Sequence, residues 1–185
     1  MFERFRRERA KARSNAAIVD DLFSGIAAAA RHPTLYTVHG VADSVMGRYE
    51  MMALHTWLFQ DRARGGSPAL EAMAQDVVDM LFREIDSTLR EIGIGDTTVP
   101  KRMKKLARMV YGRWEAYGTA LATGDRPAFA EAIRRNVYSE GGDSLGADSL
   151  ADYALRSNEA LRAQDEAAFL AGRIHFAEPV STVEA

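Results

Sequence analysis

Between Leu70 and Ile92 the apolar side chains return with the period of an α-helix: Leu70, Met73, Val77, Leu81, Ile85, Leu89 and Ile92. A stripe this long is not a strand, whose side chains change face at every residue. One apolar face needs cover, so the chain must supply other helices to bury it. Ser67 and Pro68 open the segment as N-cap and first helical residue, and Gly93 stops it.

The rest of the chain supplies that cover. Ser14 or Asn15 is placed to cap a first helix running to about Arg31, with Ile18, Leu22 and Ile26 inward, and Pro33 breaks it. After a short piece, Asp43 is the expected cap of a helix that is apolar on more than one face. Val45, Tyr49, Met52 and Trp57 share that helix with Met51, Leu54 and Leu58, the pattern of a central helix. Pro100 starts another, with Met103, Leu106, Val110, Trp114, Tyr117 and Leu121 inward. Asp125 caps a helix to about Tyr138, and Asp148 begins a last long one with a break near Gln164. No alternating strand pattern of useful length occurs. The expected fold is all-α: one compact bundle of six or more helices without a sheet. Its parts are a basic, flexible arm over 1–13, a helical domain over 14–176 and a frayed tail over 177–185.

Composition narrows the function. A chain of 185 residues can bury a full core, and its formal net charge of -2 excludes a generally basic nucleic-acid binder. With no cysteine, disulfides, thiolate nucleophiles and iron–sulfur clusters are excluded together. No apolar run is long enough to span a membrane, and the start "MFERFRRERAKAR" lacks a secretory apolar core. A bacterial, cytoplasmic protein touching the inner membrane peripherally is the expectation.

Constellations for catalysis are sparse. His32, His39, His55 and His175 are scattered, with no pair at helical spacing and no Glu-x-x-His. His55 reads as a hydrogen-bonded bundle histidine. Asp76 and Asp79 read as a solvated face, and Asp86 with Arg90 as an intrahelical ion pair. The expectation is no catalytic residue, no cofactor and no metal. The methionines, Met51 and Met52 among them, read first as core filling and second as an adaptable contact surface.

One charged cluster stands out. Lys101, Lys104, Lys105 and Arg108 share one side of a helix, Arg102 flanks them, and Arg113 lies on an adjoining face. The helix macrodipole disfavours cations near a helix start, so the cluster weakens the helix that carries it. It is the candidate partner-binding surface, with ribosomal RNA or anionic lipid as the expected contact. The arm adds Arg4, Arg6, Arg7, Arg9, Lys11 and Arg13.

The segments "GRYEMMALHTWL", "LFREIDSTLREIGIGDTTVPKRMKKLARMVYGRWEAYGTAL", "NVY" and "LAGRIHF" resemble the ubiquinol–cytochrome c chaperone family, across roughly Ser14 to Phe176. The matching positions are Asp86, Leu89, Arg90, Glu91, Gly93, Gly95, Asp96, Pro100, Lys101, Arg102, Tyr111, Gly112 and Arg113. The resemblance implies an all-helical, non-enzymatic assembly factor. It implies as partner a nascent or newly inserted membrane cytochrome subunit, such as cytochrome b entering ubiquinol–cytochrome c reductase. Neither DNA nor a small-molecule substrate is expected. Within this pattern Gly93 and Gly95 are expected to form a sharp turn, Gly112 to admit a neighbouring helix, and Arg113 to reach a carboxylate. Two other readings stay open: a small helical enzyme with an unseen cofactor site, and an RNA- or membrane-surface adaptor without a chaperone role.

Overall fold

Among the described residues, breaks in the apolar periodicity become turns, and several of these turns carry a side-chain cap. In the computed structural model the helices are α1 (Phe2–Ala30), α2 (Pro33–Thr37), α3 (Val45–Ala63), α4 (Pro68–Glu91), α5 (Val99–Thr123), α6 (Arg126–Val137), α7 (Ala147–Ala163) and α8 (Glu166–Phe169). A 3-10 turn, Ser144–Gly146, precedes α7. The structure describes the backbone of residues 2–91, 99–139 and 142–179, and the side chains of 15–88, 103–139 and 142–179. Among the described residues there is no strand, and the all-α expectation holds.

The expected caps at Ser67 and Asp125 form, with Oγ and Oδ1 accepting from the backbone N–H of Leu70 and Ala128. The cap of α3 is Ser44, one residue past the expected Asp43, and its Oγ accepts from Gly47 N at 3.1 Å. Asp43 instead binds the Arg48 guanidinium at 2.7 Å. Helical backbone in α1 begins at Phe2, ahead of the cap expected at Ser14 or Asn15. A helix already under way there has no orphan N–H groups for those side chains to satisfy.

The doubly apolar α3 is the centre. It packs against α1, α4, α5, α6 and α7, and Met51, Leu54, Trp57, Leu58 and Phe59 on it are fully buried or nearly so. The α4 stripe from Leu70 to Ile85 is buried as its period requires. Trp57 packs edge-on against Tyr117 and at a tilt against Phe129, joining α3, α5 and α6 in one aromatic cluster. Met51 is core, which removes it from any contact surface.

The loop leading into α3 is fixed by close backbone approach. A Cβ at Gly47 would overlap the Ala42 carbonyl oxygen, and one at Gly146 would overlap that of His39. Tyr138 Oη donates to the same His39 carbonyl at 2.6 Å. His55 behaves as read from the sequence. Its Nδ1–H donates to the Met51 carbonyl and its Nε2 accepts from Tyr153 Oη, both at 2.7 Å. Burial holds its pKa down at about 4, so the ring is neutral. Phe176, in the segment after α8, packs edge-on against it.

Candidate functional site

The second apolar face of α3 is not covered like the first. Val45, Met46, Tyr49 and Met52 recur at helical spacing on the side away from Met51, Leu54 and Leu58. They form one wall of an open groove of about 290 Å³. Leu81 and Ile85 of α4, Phe23 of α1 and Leu106 of α5 complete its apolar lining. It sits where α1 and α4 end and α3 and α5 begin. Arg31, Arg48 and Glu84 bring charge to its rim. Its volume is at the bottom of the usual range for small-molecule sites, about 300 Å³ upward. An opening of this size also accepts one or two large apolar side chains of a partner.

Beneath this wall lies a buried ion pair. Arg113 Nη2 meets Glu50 Oε1 at 2.8 Å, with the side chains 9% and 5% exposed. Arg113 thus reaches a carboxylate as expected, and it leaves the surface cluster for the core between α3 and α5. Its Nη1 and the buried Tyr49 hydroxyl face each other without a well-formed hydrogen bond. Burial pushes the Tyr49 hydroxyl pKa up, with the Glu50 charge adding to the effect.

The basic cluster is partly in view. Lys104, Lys105 and Arg108 are exposed on α5, on the side away from Val110, Trp114 and Tyr117. Lys101, Arg102 and Pro100 lie in helical backbone, as do Arg90 and Glu91, but their side chains are outside the described residues. Leu89 belongs with them, while Gly93, Gly95 and Asp96 lie outside the described residues altogether. Asp86 is half-buried near the end of α4. Gly112 does not receive a helix. A Cβ placed there would meet nothing, because it points to solvent. Tyr111 beside it is 51% exposed. In "YGR", then, Arg113 finds the expected carboxylate but is buried rather than part of the exposed cationic surface, and Gly112 faces open space instead of a neighbouring helix.

The sequence did not single out Arg31, Arg48, Glu84 or Thr88 as groove residues. The legible signal was the double apolar face of α3, since a helix needs only one face for the core. Among the described residues no group of His, Asp and Glu is arranged to hold a metal ion. No helix among them is long and apolar enough to cross a membrane.

With this geometry in place, comparison with known proteins gives a consistent answer. The model of the family described as ubiquinol–cytochrome C chaperone matches residues 37–176, which covers α3 to α8 and every groove wall except that from α1. The crystal structure of the Cbp3 homolog from Brucella abortus is 43% identical, with a TM-score of 0.86 over 96% of this chain and 97% of that one. No curated protein matches. The fold and the groove-forming helices are thus shared along nearly the whole length, and the chain belongs to the ubiquinol–cytochrome c chaperone family.

Proposed function

We propose that this protein is a non-enzymatic assembly chaperone whose groove receives an apolar segment of a newly made membrane cytochrome subunit. The client would be cytochrome b on its way into ubiquinol–cytochrome c reductase. The observation that carries this reading is the open apolar groove on a member of a chaperone family. A membrane segment outside the bilayer exposes apolar surface that water disfavours by roughly 25 cal/mol per Å². A groove walled by Met46, Met52, Leu81 and Ile85 covers part of that surface reversibly. Methionine, unbranched and polarizable, adapts to side chains of different shape. An apolar helix laid into such a groove is anchored by a few side chains at i, i+3 and i+4. Binding and release need no acid, base or nucleophile.

The test is deletion of the gene in its own bacterium, with cytochrome b and assembled reductase measured by spectrum and immunoblot. Both should fall, and the wild-type gene should restore them. Met52→Asp, which puts a charge in the groove wall, should fold by circular dichroism yet fail to restore them. Normal cytochrome b in the deletion strain would refute the proposal.

A further inference from the structure

A second cleft, of about 620 Å³, opens along the seam of α1 and α4 and shares no lining residue with the groove. Val19 and Met80 give it an apolar floor, and Asp20, Asp76 and Asp79 line it with carboxylates. Arg83 is the cation among its described lining residues. Asp79 accepts from Gln75 Nε2 at 2.9 Å, while Asp20 and Asp76 have no ion-pair partner among the described residues. Where the cleft begins on α1, Asn15, Ala16 and Ala17 are exposed and short. A partner helix can approach α1 closely there, because no long side chain holds it off.

The chain itself carries the complement of this cleft. The arm "MFERFRRERAKAR" holds six cations against two acids, with Phe2 and Phe5 three residues apart on one helical side. The macrodipole disfavours so many cations at a helix start, and carboxylates from a partner offset that cost. A chain cannot serve its own arm in this way. Helical backbone runs unbroken from Phe2 to Ala30, so the arm continues along the α1 axis away from the cleft, which begins at Asn15. The arm of a second copy has no such restriction. Residues 2–14 span about 20 Å as a helix, against about 12 Å for Asp76 to Arg83 on α4, so one arm is long enough to fill the cleft. From this juxtaposition we propose that two copies pair about a two-fold axis, α1 antiparallel to α1, each laying its basic arm in the other's α1–α4 cleft. The arm's cations meet Asp20, Asp76 and Asp79, its acids are left for Arg83, and its phenylalanines face Val19 and Met80. Such a contact is reciprocal, so both clefts fill at once and assembly stops at two. A basic segment of another protein would match the cleft but leave the arm's own cations without a partner. The proposal does not depend on the identity of any client, and its test needs none.

The experiment is sedimentation velocity of the full chain over a series of protein and salt concentrations. The wild type should dimerise at low salt and dissociate as salt rises. Asp76→Lys with Asp79→Lys, which reverses the cleft, should weaken dimerisation at least about tenfold. Arg6→Glu with Arg7→Glu and Arg9→Glu, which turns the arm acidic, should do the same. Mixed in equal amounts, the two variants should associate again, because in the mixed pair each arm faces a cleft of opposite charge. That recovery excludes misfolding as the cause of either loss. The control, Glu115→Lys with Glu159→Lys, reverses exposed charges on α5 and α7 and should dimerise like the wild type. A monomeric wild type at low salt would overturn the proposal and leave the cleft to a basic segment of another protein. A dimer that survives both reversals would overturn it too, as would variants that stay apart when mixed or an equal loss in the control.

Discussion

Removing Glu50 should be among the most damaging single changes available in this bundle. Glu50 and Arg113 meet at 2.8 Å with side chains only 5% and 9% exposed. Glu50→Leu would leave the Arg113 guanidinium buried without its carboxylate, with Nη1 already lacking a well-formed hydrogen bond. Breaking a buried pair from one side costs about 3–5 kcal/mol, because the remaining charge stays desolvated. For a chain of this size that is a fall in melting temperature of roughly 6–20 °C. Replacing both, Glu50→Leu with Arg113→Met, removes the stranded charge and should recover most of the loss. The assay is urea denaturation followed at the helical circular dichroism band, on the wild type, both single variants and the double. The cycle should show a coupling of about 2 kcal/mol or more. Additive single effects, or a loss under about 1 kcal/mol for Glu50→Leu, would mean water reaches the pair and the reasoning is wrong.

Other consequences are simpler to check. Tyr153→Phe should cost about 1–3 kcal/mol, because His55 Nε2 loses its buried donor; an unchanged urea midpoint would contradict this. The His55 pKa is depressed in the folded state to about 4, below the unfolded value near 6.5. The unfolded chain therefore takes the proton first, and stability that is complete above about pH 6.5 should fall toward pH 4, by up to about 1.4 kcal/mol per unit from this group. His55→Phe should flatten that part of the profile of urea midpoint against pH. Gly47→Ala should destabilise by about 1–3 kcal/mol through overlap with the Ala42 carbonyl. Gly112→Ala, by contrast, enters open space inside a helix and should raise stability by about 1 kcal/mol; a lower melting temperature would refute the solvent-facing placement.

Helices, caps and core were legible in the sequence because local rules decide them. The Leu70–Ile85 stripe, the breaks at Pro33 and Gln164, and the caps at Ser67 and Asp125 each follow from spacing or turn chemistry within a few residues. Asp43 and Ser44 both suit an N-cap; in the fold Ser44 caps Gly47 N and Asp43 pairs with Arg48. Long-range choices were less legible. Periodicity marks Tyr49 and Met52 as apolar but does not say whether another helix covers them. Among the described residues, the groove lies where α1 and α4 end and α3 and α5 begin. The spacing points Arg113 at a carboxylate but does not name Glu50, which the fold brings to it across 63 residues of chain. Gly112 shows the opposite failure, since a glycine inside a helix resembles a packing site until the neighbouring space is seen to be empty.

The central claim, that the groove holds the client, is tested most directly by crosslinking in the living cell. A photoreactive amino acid placed at Met52, in the groove wall, should yield an adduct with newly made cytochrome b under pulse labelling. The same residue at Arg64, exposed at the far end of α3, should not. Adducts at Arg64 but not at Met52, or no cytochrome b adduct at either position, would contradict the account.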